Sequence, residues 1–215
     1  AVRGESFEAL ARGIRKVQEL KRARGLRRPV LRLQCAISHL NLNQLEETVA
    51  EARKLGCGEI RFQHPIFAFS SAACRVSEEM KSMMTWADLS RPRREWLDLT
   101  GAQALAEINK LKRHDPQIKV AFEPDVKDTD IVGYYDDAQH AFPNLCLSPW
   151  RRMDVSPSGA MGPCQGMYVG QFPDSTPGAC WNGPAFRSLR RHMRDHGLFG
   201  VCNRCCHREY CSPRM

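Results

Sequence analysis

The chain opens on a helical beat. Phe7, Leu10, Ile14, Val17 and Leu20 recur at intervals of three and four residues, which places them on one face of a helix. Ser6 stands where a cap belongs, and Gly25 where the helix should stop. After Pro29 the pattern changes to the alternation VLRLQCAI at 30–37, which suits a strand. Asn43 and Glu46 then form a capping-box-like pair ahead of Leu45, Val49, Ala52 and Leu55, and Gly56 and Gly58 end that helix. EIRFQ at 59–63 reads as a second strand. Thr100 and Gln103 cap a third helix bearing Leu105, Ile108 and Leu111, which leads into the strand IKVAF at 118–122. Three helix-then-strand units in succession predict a parallel α/β sheet with the helices as crossovers. Three strands are too few to close a barrel, so the sheet reads as the remnant of a larger one.

Strand alternation sets the faces. Leu31, Leu33, Cys35, Ile37, Ile60 and Phe62 should meet the helices, leaving Arg32, Gln34, Ser38, Arg61 and Gln63 on the other side. Residues 64–99 are less regular. SEEMKSMM at 77–84 suggests a short helix with Met80, Met83 and Met84 as gap-filling core, and RPRR at 91–94 a break.

From about residue 140 helical periodicity gives way to Pro, Gly and Cys. The boundary falls between Asp137 and Cys146. The stretch from Trp150 to Val155 should turn at Pro157–Gly159 and return through Ala160–Pro163 to Cys164, a β-hairpin with Gly at its turn. Residues 185–196 are helical, and CNRCCHREYC follows at 202–211.

Composition narrows the class. The 215 residues are 42 % apolar, enough for one packed domain and a small appendage. No run approaches the ~18 apolar residues of a membrane span. The start lacks an initiator Met and a signal-peptide pattern, as though cut from a longer chain. A cytoplasmic fragment without a membrane partner is therefore expected. The net charge of +8 comes mostly from Arg12–Arg28 and Arg187–Arg194. Such charge can serve a polyanion, but no aromatics interleave with the N-terminal group. Solvated helix faces are the better expectation, and nucleic acid is not the expected partner.

Ten cysteines change the picture. Cys35, Cys57 and Cys74 are scattered, whereas Cys146, Cys164, Cys180, Cys202, Cys205, Cys206 and Cys211 cluster late in the chain. Cytosolic thiols stay reduced, so clustering favours metal over disulfides. Cys146 and Cys164 flank the hairpin. Folding it about Ser158 sets Cys164 opposite residues near Arg151, and a short bend brings Cys146 to the same end. Cys202 and Cys205 form a CxxC. Four such thiolates suit either Zn²⁺ or an iron–sulfur cluster, and spacing alone does not choose. A zinc ribbon usually carries two CxxC knuckles where this chain has one. Free thiols in a small core fit poorly, because the module has few large aliphatic residues to hold its shape without metal.

Other candidates are weaker. His39 and His64 sit at strand ends as possible acid–base groups, with a structural or solvated role the stronger expectation. His192 and His196 have the i, i+4 spacing of a metal pair. The surrounding Arg residues favour a solvated face.

The late segment resembles a known family. CLSPWRRMDVSPSGAMGPC at 146–164, WNGPAFRSLR at 181–190 and CNRCC at 202–206 resemble the SPASM/twitch region that closes many radical SAM enzymes. The shared pattern is Cys, twelve residues, Gly, four residues, Cys, then a Trp-Asn-Gly that opens a helix, then CxxC. Upstream, VRGESFEAL at 2–10 and LQCAISHLN at 33–41 are similar to segments around the fourth and fifth barrel strands of such enzymes.

The resemblance implies a division of the chain. Residues 1–140 would be the C-terminal part of a radical SAM (β/α) barrel, and 141–215 a SPASM/twitch-like iron–sulfur domain. Cys146, Cys164, Cys202 and Cys205 would then ligate one auxiliary [4Fe–4S] cluster. Gln34 and Gln63 would face S-adenosylmethionine or substrate within the barrel. A two-cluster domain continues its knuckle to a third and fourth Cys; here Cys211 matches the third, but Met215 stands at the fourth. The CxxxCxxC loop that holds the catalytic cluster of radical SAM enzymes occurs nowhere in the sequence. S-adenosylmethionine and a second [4Fe–4S] cluster are thus expected of a full-length parent, and the chain alone should be catalytically silent. Implied partners are a peptide or small-molecule substrate and an electron donor such as a flavodoxin or ferredoxin. Two readings from other classes stand beside this one, a non-enzymatic iron–sulfur electron carrier and a zinc-ribbon-like nucleic-acid-binding module.

Overall fold

The computed structural model describes residues 6–65, 85–86 (backbone only), 99–111, 117–137, 146–164, 167–199, 202 and 205. The expected helix at 77–84, the three Met within it, the break at 91–94, Cys74, Cys206 and Cys211 lie outside the described residues.

Helix α1 (Phe7–Ala23) begins as its cap predicts, with the Ser6 side chain accepting from the Ala9 amide. Gly25, at φ 63°, takes the left-handed conformation just beyond its end. Strands β1 (Arg32–Ala36), β2 (Glu59–Gln63) and β4 (Lys119–Glu123) form a parallel sheet in the order β1-β2-β4. Between them run α2 (Leu45–Lys54) and α3 (Gly101–Leu111). Thr100 and Gln103 cap α3 reciprocally: the Gln103 amide donates to Thr100 Oγ1 and the Thr100 amide to Gln103 Oε1.

Two local expectations fail. The Asn43–Glu46 capping box does not form, because a 3₁₀ turn over Leu42–Gln44 runs directly into α2 and leaves no capping residue there. Asn41 organises this corner instead. Its amide donates to the Ala36 carbonyl at 2.8 Å, and its Oδ1 accepts from the Ser38 amide at 2.8 Å. The second departure is α4 (Asp128–Asp136), a helix whose short, uneven apolar spacing gave no periodic signal. It buries Ile131, Tyr134 and Tyr135 against α3.

The sheet faces divide as alternation predicts. Ile37, Ile60 and Phe62 sit in the core with Leu45, Val49, Ala104 and Ile108, and Leu31, Leu33 and Cys35 pack against them. The opposite face carries a polar lattice. Glu59, only 7 % exposed, accepts from Arg32 at 3.1 Å and Arg61 at 3.0 Å, with Lys119 3.8 Å away. Arg61 reaches on to Glu123 at 3.3 Å. Helix α1 commits less to the core. Ala11 is buried and Ile14 packs on the cluster, while Phe7, Leu10, Val17 and Leu20 remain exposed. Among the described residues the sheet ends at β1, so that side offers α1 little to cover.

The late segment is antiparallel. β5 (Asp154–Val155), β6 (Ala160–Gly162) and β8 (Gly170–Gln171) form one small sheet. β7 (Met167–Tyr168) pairs with β3 (Thr85–Trp86), so a strand from the irregular middle of the chain joins the cysteine-rich segment. Three helices complete it: α5 (Ser148–Arg151), α6 (Pro177–Trp181) and α7 (Pro184–His196).

Burial pulls the Glu59 carboxyl up, but hydrogen bonds from Arg61 and Arg32 and the charges of Arg32 and Lys119 outweigh it and hold it below the ordinary glutamate range. A carboxyl lowered on folding contributes stability that is present above its unfolded pKa, near ~4.3, and lost as pH falls through the folded value. Glu59→Gln should therefore cost about 1–3 kcal/mol at neutral pH, and the deficit should shrink as the solution is acidified below that range. Urea unfolding across pH 7 to 3 measures this; a gap that stays constant would contradict it.

Candidate iron–sulfur centre

The hairpin that carries Cys164 turns over Ser156–Gly159. Gly159 lies at φ 87°, where an L side chain is strained. A Cβ there would also sit 2.7 Å from the Phe172 carbonyl oxygen. Phe172 needs that approach, since its amide donates to the Gly159 carbonyl at 2.9 Å. The glycine of the Cys-x₁₂-Gly-x₄-Cys pattern thus fixes both the turn and the third strand. The register pairs Asp154 with Gly162 and Val155 with Met161. The pairing stops there, two residues short of both Arg152 and Cys164, and Cys164 bridges Met167 instead. The first arm is shorter than predicted: Trp150 and Arg151 belong to α5 rather than to a strand. That helical turn is the bend that leads back to Cys146.

The Trp-Asn-Gly segment has a structural task. Trp181 lies 5.3 Å from Phe186 between ring centroids, across the junction of α6 and α7. The Arg190 guanidinium sits 4.5 Å above Trp181 and 5.0 Å from Phe186. Its Nε donates to the Pro149 carbonyl at 2.7 Å. One side chain therefore clamps the helix pair to the α5 turn beside Cys146.

The cysteines gather on a dry wall. Met167, Leu189, Met193 and Phe199 are buried with Cys202, and Cys146 and Cys164 pack against this cluster. Cys202 follows a turn in which its amide donates to the Phe199 carbonyl at 2.8 Å, and Cys205 donates back to Cys202 at 3.2 Å. Burial pushes the Cys202 thiol far up, and the negative charges of Cys205, Cys146 and Cys164 push it further. All three partners thus lie within electrostatic reach of one sulfur. Among the described residues no three His, Cys, Asp or Glu are gathered tightly enough to hold a metal ion. Four thiolates on a single Zn²⁺ would stand about 3.8 Å apart, given Zn–S bonds of ~2.3 Å. A multi-iron core asks for a wider cage of the same soft ligands. Cys146, Cys164, Cys202 and Cys205 are the side chains that could supply one.

Cys180 stays apart from this group. It is buried, and its Sγ lies 3.3 Å from Ser175 Oγ.

The histidines resolve into structural roles. His64 is 1 % exposed, bonds Tyr135 Oη at 2.8 Å through Nδ1 and stacks on Phe122. His192 stacks on Phe199 with centroids 4.5 Å apart and faces His196 at 5.0 Å. Burial and the neighbouring His196 lower its pKa. His39 is half-buried beyond the end of β1. Gln34 and Gln63 lie on the polar sheet face and bond each other at 2.9 Å. Sequence reasoning missed Arg190 and Arg152 entirely; Arg190 lies in a basic run whose Arg187, Arg191 and Arg194 are exposed, and Arg152 follows the exposed Arg151.

Comparison with known families places this geometry. Residues 146–206 match the SPASM family, described as an iron–sulfur cluster-binding domain. This segment is a SPASM domain. The match spans all four cysteines, the hairpin, the Arg190 clamp and the knuckle. SPASM domains bind iron–sulfur clusters, so the soft-donor set of this segment suits the chemistry of the matched domain. No curated protein and no solved structure matches the chain.

Gly159→Ala should lower the stability of the SPASM domain by about 1–3 kcal/mol. Gly178→Ala, where an added Cβ meets nothing within 4 Å, should leave it close to wild type. Paired denaturant curves test this, and equal midpoints for the two variants would refute the turn argument.

Proposed function

We propose that this chain is the C-terminal part of a radical SAM enzyme, in which Cys146, Cys164, Cys202 and Cys205 hold one auxiliary [4Fe–4S] cluster. What carries the reading is that Cys146 and Cys164 pack against the apolar cluster that buries Cys202, with Cys205 bonded to Cys202 through the backbone, all within the SPASM match. When bound, such a cluster supplies one-electron transfer or an anchoring site for substrate. The protein's own residues do the rest. Met167, Leu189, Met193 and Phe199 keep water from the Cys202 side. The Arg190 clamp fixes the turn from which Cys146 projects.

The upstream sheet supports the same reading. Its strands are parallel, one face is apolar under helices, and the other bears Arg32, Gln34, Arg61 and Gln63. In a completed barrel that face lines the interior, where Gln34 and Gln63 would meet S-adenosylmethionine or substrate. The radical chemistry belongs to a full-length parent that contributes the second cluster and S-adenosylmethionine. Its substrate is a peptide or small molecule, and its electrons come from a flavodoxin or ferredoxin. A cytoplasmic location suits thiols that must stay reduced to hold a cluster. Among the described residues no helix is long and apolar enough to cross a membrane.

Anaerobic reconstitution with iron and sulfide should give a broad absorbance near ~400 nm, with about four irons and four sulfides per chain for one [4Fe–4S] cluster. Cys146→Ser, Cys164→Ser, Cys202→Ser and Cys205→Ser should each reduce the bound iron severalfold, whereas Cys180→Ala should retain it. Colourless protein holding one Zn²⁺, or iron lost equally in Cys180→Ala, would defeat the assignment.

A further inference from the structure

Arg152 is bound on one side and unaccounted for on the other. Its Nη2 donates to both carboxylate oxygens of Asp154 at 2.7 Å, and its Nε to Oδ1 at 3.1 Å. This fork-to-fork pair pins the guanidinium to the first arm of the hairpin. The β5–β6 pairing ends at Asp154–Gly162, so Arg152 and Cys164 each lie two residues beyond the same end of the ribbon. The side chain is half-buried, which limits screening of its charge by solvent.

We propose that Arg152 sets the reduction potential of the cysteine site: a fixed positive charge on the Cys164 side that favours the more negative state of the core the cysteines hold. The inference rests on the iron–sulfur reading. Its electrostatic support is direct. The Asp154 hydrogen bonds and charge raise the Arg152 pKa against a smaller opposing effect of burial, and the thiolates of Cys164 and Cys205 raise it further. Attraction of this kind is reciprocal. A guanidinium stabilised by two thiolates stabilises negative charge on them and on whatever they ligate. Reduction adds one electron to the core from a low-potential donor such as dithionite, with no protein bond made or broken. The reduced state carries one more negative charge and gains more from Arg152 than the oxidised state does. Asp154 works in the opposite sense: it holds the guanidinium in place while offsetting part of its field.

That opposition supplies the test. Reconstituted wild type, Arg152→Gln, Asp154→Asn and Arg152→Lys are titrated with dithionite in the presence of mediators, and the midpoint potential is read by electron paramagnetic resonance or visible absorbance. Arg152→Gln should move the midpoint to more negative values and Asp154→Asn to more positive ones. Arg152→Lys, which keeps the charge, should stay near wild type. Both neutral variants break the same ion pair, so a merely structural role would shift them alike. Shifts of the same sign, or no shift in either, would overturn the proposal while leaving the cluster itself in place. Should Arg152→Gln fail to retain iron, the other two variants decide, and an unmoved or lowered midpoint in Asp154→Asn overturns it. Wild type that takes up no iron would bring down both this inference and the reading beneath it.

Discussion

Under the proposed reading, four sulfurs drawn from both ends of a sixty-residue stretch must meet on one dry surface, and that requirement is the constraint on which the rest of the SPASM segment would depend. Burial opposes it, because a desolvated thiol resists ionisation and each neighbouring thiolate makes the next harder to form. A bound cluster would offset both costs, since its positive irons would take up the charge that the apolar wall of Met167, Leu189, Met193 and Phe199 otherwise repels. Strands of two or three residues could hardly keep such a gathering in place alone.

The chain answers with positional locks. Gly159 allows the hairpin its tight turn and lets Phe172 approach. Gly162 is equally bound by space, for a Cβ there would collide with the Met167 carbonyl just beyond Cys164. Arg190 joins Trp181, Phe186 and the Pro149 carbonyl through one planar cation. The hydrogen bond to Pro149 leaves its Nη2 buried without a partner in the described structure, a cost that ring stacking on two sides helps to offset. Strand β3 then ties β7 to the middle of the chain by backbone pairing.

The α/β part is stabilised differently. Its core is ordinary close packing of Ile, Leu, Val and Phe beneath two crossover helices and α4. Its polar face is not idle surface. Glu59 is buried among Arg32, Arg61 and Lys119, and the lattice continues to Glu123. A sheet face this ordered and this polar differs from the solvent side of a simple two-layer domain.

Much of this was legible in the chain itself. Alternation sorted Ile60 and Phe62 from Arg61 and Gln63, and Ser6, Thr100, Gln103, Gly25 and Gly159 marked caps and turns, because those signals are local and each is decided by neighbouring backbone. The cysteine-rich segment declared itself as an iron–sulfur domain by chemistry and spacing. What tertiary structure alone decided was everything that depends on partners distant in sequence. The helix at 128–136 forms because Tyr134 and Tyr135 find His64 and the Pro65 carbonyl. Asn41 displaced the expected capping pair by reaching back to Ala36 and Ser38. Arg190 was indistinguishable from its exposed neighbours until the fold gave it two aromatic rings and a distant carbonyl. Charge and periodicity belong to the sequence; which charge is buried, and against what, is settled only when distant segments compete for the same space.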